Sequence, residues 1–238
     1  MDGSLVAVSA HAADFVWRAG GTLAKYARLG WDVNVLVLSL GVRGESAELW
    51  RQGGQTAESV ARVRREEATA AAGVLGCRLT FFDLADYRMT ITNETLEELA
   101  GRLREFRPTI VLTHAARDAF NPDHPLVHRA TLDAVTMARV PGVLPDVPTL
   151  PAPRVYAFEP HQPEASGFVP NVLIDITEDF ETKARAMACV PTQTYLIEYH
   201  RRLAEARALH ARRNWGHADV RYAEAFETCS AIVADLLP

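Results

Sequence analysis

Two stretches of this chain bring imidazoles and carboxylates close together. One is Ser9-Ala10-His11-Ala12-Ala13-Asp14; the other runs from His114 through Arg117-Asp118 to Asn121-Pro122-Asp123-His124. Each follows an apolar run that reads as a strand, Leu5–Ser9 and Thr109–Thr113. Ligands of a parallel α/β sheet bind beyond the carboxyl ends of its strands, so these residues would share one edge. Two His nitrogens and a carboxylate oxygen, with a position left open for water, are a ligand set for catalytic zinc. His11, Asp14 and His124 are the candidate set, and Zn2+ the expected cofactor. For His11 taken alone, a capping or hydrogen-bonded histidine is an equal alternative. Other strand ends add Gly41-Val42-Arg43-Gly44-Glu45-Ser46-Ala47-Glu48, then Asp83, Asp86, Tyr87 and Arg88, and finally Glu159-Pro160-His161-Gln162.

The elements that must position these groups alternate. Strand-like runs at Leu5–Ser9, Val33–Ser39, Leu79–Leu84 and Thr109–Thr113 are separated by helix-length segments at Val16–Leu29, about Glu58–Leu75 and Leu96–Phe106. A further helix starts near His124. That order is the signature of βαβ units, and strands so continuously apolar must be covered on both faces. The expectation is an α/β fold, a Rossmann-like, mostly parallel sheet with helices on both faces, spanning 1–238 as one domain. Arg139–Pro153 carries five prolines and cannot be regular helix or central strand, so it reads as a surface excursion. Strand-like segments resume at Val155–Phe158 and Val172–Ile176, and a helical C-terminal part follows, about Glu178–Cys189 and Thr192–Arg213.

A dinucleotide cofactor fits poorly. Its G-x-G-x-x-G turn would follow the first strand, where this chain has His11-Ala12-Ala13-Asp14-Phe15. The chain has 25 Lys+Arg against 30 Asp+Glu, a net charge of −5 that gives no general attraction for nucleic acid or an anionic membrane. Three unevenly spaced cysteines form neither a CxxC pair nor a disulfide framework, which suits a reducing cytoplasm. The N-terminus lacks a basic segment with a following apolar run, so no secretory signal is expected. No apolar run approaches the ~18 residues of a membrane span. Assembly as a homo-oligomer is expected.

These motifs resemble those of the LmbE-like (PIG-L) zinc-dependent deacetylases. Ala10-His11-Ala12-Ala13-Asp14 is similar to their Ala-His-Pro-Asp-Asp signature, and Pro122-Asp123-His124 to their His-Pro-Asp-His segment; Gly20-Gly21-Thr22 fits as well. The resemblance covers roughly the first 130 residues and implies that His11, Asp14 and His124 bind zinc. It also marks two departures. The general base of the family falls on Ala13, and the first His of its second segment on Asn121. A methyl group cannot serve as the base that amide hydrolysis needs. A narrower resemblance accommodates this, to the 4-oxalomesaconate (4-carboxy-2-hydroxymuconate) hydratases of gallate and protocatechuate catabolism. It rests on SAHAADFVWRAGG, RGESAELW, FFDLADY, LTHAARDAFNPDHPLVHR and FEPHQPE, which span nearly the whole chain.

The hydratase resemblance implies a metal-dependent hydro-lyase that adds water to a double bond conjugated with a 2-oxo acid. Such a reaction needs a Lewis acid and acid–base groups. Glu45 and His161 are the candidate acid–base pair, with Glu48 as the alternative to Glu45. The substrate would be a small anionic oxo-polycarboxylate, and Arg18, Arg43, Arg88 and Arg117 the guanidinium groups that bind it, with His114 and Asn121 as further contacts. His114 and His128 would support the site or touch substrate. His200, His210 and His217 read as surface residues, as do Arg51, Arg62, Arg64 and Arg65. Trp17 and Trp50 would close the pocket or pack in the core. Two other functions remain: a zinc-dependent N-deacetylase of an amino sugar or small amide with Glu45 as its base, and a metal-binding pseudoenzyme.

Overall fold

The computed structural model describes residues 3–231. Its centre is a seven-stranded sheet in the order β3-β2-β1-β4-β5-β7-β6. These strands are β1 (Ser4–Ser9), β2 (Asp32–Ser39), β3 (Arg78–Leu84), β4 (Ile110–Thr113), β5 (Arg154–Phe158), β6 (Val172–Asp175) and β7 (Ala223–Thr228). The first five are parallel; β7 runs antiparallel to both β5 and β6. Side chains alternate across β1: Leu5 and Ala7 face one apolar layer, Val6 and Val8 the other. Helices α1 (Asp14–Arg28), α3 (Ala57–Leu75) and α7 (Phe180–Ala188) cover the first face, and α4 (Asn93–Phe106) and α5 (Asp123–Arg139) the second. Coverage on both sides accounts for the apolar runs Leu5–Val8 of β1 and Val35–Leu38 of β2. The chain leaves β1 toward β2 on one side and returns to β4 on the other, so the crevice lies beyond the carboxyl ends of β1 and β4.

The Pro-rich excursion has no helix or strand between Arg139 and Arg154. A buried cation holds it in place: the Arg104 guanidinium donates to the carbonyls of Ala138 (2.9 Å), Val140 (2.7 Å), Leu144 (2.6 Å) and Val147 (2.8 Å). The C-terminal part departs from the helical expectation. Its helices are α7 and α8 (Tyr195–Trp215), the latter preceded by a 3₁₀ turn at Pro191–Gln193, but β7 then enters the sheet between β5 and β6. Ala-Glu-Ala-Phe-Glu-Thr lacks the β-branched run that marks a strand, and tertiary pairing decides it. Two short helices, α2 (Ala47–Trp50) and α6 (Pro163–Ser166), also lie outside the expected pattern.

Helix α1, which carries the first site residues, is locked from behind. Glu224 on β7 accepts from the backbone N–H groups of Gly21 (2.9 Å) and Thr22 (2.7 Å), and Lys183 on α7 bridges Glu224 (2.6 Å) to the Trp17 carbonyl (2.8 Å). Gly21 must be glycine for this approach, since a Cβ there would lie 2.5 Å from Ile176 Cδ1. Among the described residues no helix is long and apolar enough to cross a membrane.

Candidate active site

The four-residue link from β1 to α1 folds around its own carboxylate. Asp14 Oδ2 accepts from the His11 backbone N–H (2.8 Å) and lies 3.1 Å from His11 Nδ1. His124, on the first turn of α5, brings Nε2 to 3.6 Å from the same oxygen. One ligand atom each from His11, Asp14 and His124 fall within 4.8 Å of one another, and all three residues are buried. The far nitrogen of each imidazole meets a second carboxylate: His11 Nε2 lies 3.1 Å from Asp123 Oδ2, and His124 Nδ1 lies 2.7 Å from Asp118 Oδ2. Carboxylates so placed fix the tautomer that turns the opposite nitrogen toward the centre, as metal-binding histidines require.

The fit to a cation rests on two features. His124 Nε2 is buried yet has no hydrogen-bond partner. Burial opposes a charge on His11, but hydrogen bonds to Asp123 and Asp14 outweigh it and push its pKa up to about 10. Burial likewise works against ionised Asp14, yet His124 and the bond from His11 hold it well below the usual carboxylate range. The cluster therefore favours positive charge at its centre. These residues can hold a metal ion, and the donor set suits zinc.

His114 plays a different part. Its Nε2 accepts from the Ala10 N–H at 2.9 Å, and its ring stacks on His124 with centroids 4.1 Å apart. Burial and the nearby His124 push its pKa well down, so it stays neutral beneath the cleft rather than in the cleft wall. His128 Nδ1 meets the His114 carbonyl at 2.8 Å and supports it from below.

Glu45 and His161 lie on the wall of the cleft above Asp14 and His124. Gly41, at φ +67°, turns the loop after β2, and Glu45 N–H returns to the Gly41 carbonyl at 3.2 Å. A Cβ on residue 41 would lie 2.8 Å from that of Glu45, so the turn needs glycine for space as well as for conformation. Glu45 Oε1 accepts from Asn121 Nδ2 at 2.9 Å, Oε2 from Gln193 Nε2 at 2.8 Å, and Oε1 lies 3.9 Å from His11 Nδ1. His161, which also lines the cleft, brings its Nε2 to 3.2 Å from His200 Nε2. Burial, with the charge of Arg18 adding to it, lowers the His161 pKa to about 3.

The arginines divide. Arg18 is buried in the cleft wall, donating through Nη1 to the Glu159 carbonyl at 2.8 Å, while its Nε, 3.6 Å from Asp14 Oδ1, has no hydrogen-bond partner. Arg43, Arg88 and Arg117, by contrast, are exposed and do not line the cleft. Asp86 Oδ2 captures the backbone N–H groups of Arg43 and Gly44 at 2.8 and 2.7 Å, which ties that loop by its main chain. Glu48, on α2, is also exposed and paired with Arg51 just beyond that helix, so of the two glutamates Glu45 is the one in the cleft. Trp17 lines the cleft; Trp50 lies outside it and donates to the Val42 carbonyl.

Two surface assignments are overturned. His200 is buried, stacked on Trp17 with centroids 5.6 Å apart and bonded to His161, whereas His210 and His217 are exposed. Arg64 is fully buried and bonded to Glu67 (2.7 Å), Thr192 (2.7 Å) and Gln193 (3.3 Å). Asp118 and Asp123 stood at the right strand end but had no assigned role, and nothing in the sequence marked Gln193. Larger hollows of about 440 and 550 Å³ lie beside Trp215 and beside Arg139, and neither contains the metal-ligating cluster.

The PIG-L family profile, described as GlcNAc-PI de-N-acetylase, matches residues 6–135, the part that carries His11, Asp14, Glu45 and His124. This chain belongs to the PIG-L family. Within it, 4-oxalmesaconate hydratase of Pseudomonas putida is 44% identical over 228 residues, covering 94% of this chain and 88% of that protein. The crystal structure of the 4-carboxy-2-hydroxymuconate hydratase from Pseudomonas putida matches with a TM-score of 0.97 at 43% identity, over 99% of this chain and 100% of that one. Diacetylchitobiose deacetylase of Thermococcus kodakarensis is more distant, 27% identical over 190 residues, 77% of this chain and 67% of that protein.

Proposed function

We propose that this PIG-L family member is a zinc-dependent hydro-lyase that adds water across the conjugated double bond of 4-oxalomesaconate. The observation that carries the reading is the near-full-length likeness to hydratases of that substrate, at 44% identity and a TM-score of 0.97. The geometry agrees with it. Hydration places a hydroxyl on one alkene carbon and a proton on its neighbour, with charge building on the oxygen of the carbonyl group attached to the carbon that takes the proton. Zinc held by His11, Asp14 and His124 would supply a Lewis acid for that charge.

The chain itself supplies the proton carriers. Glu45, with a donor on each oxygen, is oriented toward the cleft and handles one proton. His161, which lines the same cleft and is kept neutral by burial, is the candidate for the other, its imidazole taking a proton before it can give one. The cleft wall holds Asp14, Glu45 and Asp118 against Arg18 alone. An anionic polycarboxylate therefore depends on Arg18 and on the metal's charge together, not on an arginine cluster. Asn121 lines the cleft as well and donates to Glu45 Oε1.

A deacetylase reading has weaker support. Ala13, which takes the place of the family's base, is a buried residue at the start of α1 whose carbonyl accepts the first N–H groups of the helix. Unpaired thiols at all three cysteines are consistent with a reducing cytoplasm, and we extend the hydratase reading to gallate and protocatechuate breakdown. Assembly as a homo-oligomer is part of the same proposal. The test is a paired assay of zinc-loaded protein. Loss of conjugated-diene absorbance from 4-oxalomesaconate is expected without amine release from diacetylchitobiose. Amine release without hydration would reverse the assignment.

A further inference from the structure

Gln193 lies on a turn about 150 residues from Glu45 in the chain, yet it decides how Glu45 is held. The residue is 2% exposed. An amide can normally flip, exchanging its donor and acceptor ends. Here the flip is blocked. Gln193 Oε1 accepts from Trp17 Nε1 at 3.1 Å and from Arg64 Nη2 at 3.3 Å, and both groups can only donate. The NH2 end is thereby forced to face Glu45, whose Oε2 accepts from it at 2.8 Å.

The turn is fixed as firmly as the amide. Arg64 and Glu67, one helical turn apart on α3, grip Thr192: Glu67 accepts from the Thr192 N–H at 3.0 Å and from its hydroxyl at 2.7 Å. Arg64 donates to that hydroxyl oxygen at 2.7 Å. On the other side Asn121 is oriented by the same logic, since its Oδ1 accepts the Asp123 N–H at 3.0 Å and leaves Nδ2 for Glu45 Oε1. Two amides with enforced orientation thus deliver one N–H to each oxygen of the carboxylate. A hydrogen bond to a charged group contributes more than one between neutral partners, and two of them remove the rotational freedom of the side chain.

We propose that Gln193, oriented by Arg64 and Trp17, is a positioning residue that aims the Glu45 carboxylate; the inference rests on the reading of Glu45 as an acid–base group. Gln193→Glu is the selective probe. It keeps the oxygen that accepts from Trp17 and Arg64 but replaces the donor by an oxygen facing Glu45. Gln193→Met removes the donor without adding charge. With zinc-loaded protein and 4-oxalomesaconate, each variant should lower kcat about tenfold or more. KM and zinc content should stay near those of the parent. In the Glu45→Gln background neither change should lower kcat further, because no carboxylate is left to aim. Parental kcat in both single variants, with Glu45→Gln impaired, would overturn the positioning role alone. An equal loss in the Glu45→Gln background would also overturn it, showing a general structural effect. Full activity of Glu45→Gln itself would remove the acid–base reading and the proposal with it.

Discussion

Asp118→Asn is the most informative single change at the metal cluster, because it removes a charge without removing a ligand. Asp118 Oδ1 accepts from the backbone N–H groups of Phe120 (2.9 Å) and Asn121 (3.2 Å), while Oδ2 faces His124 Nδ1 at 2.7 Å. An asparagine can satisfy only one of these sides. With its carbonyl toward the two backbone donors, its NH2 faces His124 Nδ1. The imidazole proton then moves to Nε2, the nitrogen that must face the metal with a lone pair. With the carbonyl toward His124, the NH2 opposes two backbone donors. Either arrangement sacrifices at least one hydrogen bond to a charged group, about 1.5–3 kcal/mol, or about 10- to 150-fold in an equilibrium constant. Loss of such a supporting carboxylate commonly weakens metal binding by about 10–100-fold. Zinc affinity measured by competition with a chromogenic chelator should fall by that amount, while protein saturated with zinc keeps most of its turnover. Unchanged affinity would refute the claim that Asp118 sets the His124 tautomer.

Arg18→Lys should raise KM for 4-oxalomesaconate about tenfold or more with little change in zinc content, because Lys has no planar fork for a carboxylate; an unchanged KM would remove Arg18 from substrate binding. The low pKa of His161, about 3 against an ordinary 6.5, fixes the sign of an acid effect. Below about pH 6.5 the unfolded chain takes up a proton that the folded chain refuses until about pH 3. Stability therefore falls as pH drops through that window, by up to about 1.4 kcal/mol per unit for this one group. His161→Asn should flatten the slope of denaturation midpoint against pH by one proton; an identical slope would contradict the buried neutral state. Ala13→Asp should not raise hydration, since a carboxylate at this buried position adjoins Asp14; a large gain in turnover would mean that the lost base is damage, not specialisation.

The parallel half of the sheet was legible because β1 and β2 carry unbroken apolar runs, Leu5–Val8 and Val35–Leu38, a pattern that coverage on both faces explains. The strand-end rule then placed His11, Asp14, Glu45, His124 and His161 near one edge, where Asp14, Glu45, His124 and His161 line one cleft and His11 is buried against Asp14 and His124. What stayed hidden depended on contacts between distant segments. Arg64 sits in a run of charged residues, Arg62 to Glu67, and only the docking of the 191–193 turn selects it for burial. His200 looked solvated within a polar helix until Trp17 and His161 packed against it. The expected arginine cluster failed because position near a strand end does not determine the direction of a side chain. The main chain of Arg43 is bonded to Asp86 while its guanidinium is exposed.

The central claim, a cleft where Glu45 and His161 move protons beside a metal held by His11, Asp14 and His124, is tested most directly by measuring kcat and zinc content together in the single variants. Glu45→Gln and His161→Asn should each lower kcat by about 10²–10⁴-fold and keep near-stoichiometric zinc. His11→Ala should lose zinc and activity together. Stoichiometric zinc in His11→Ala, or parental turnover in both Glu45→Gln and His161→Asn, would contradict the account.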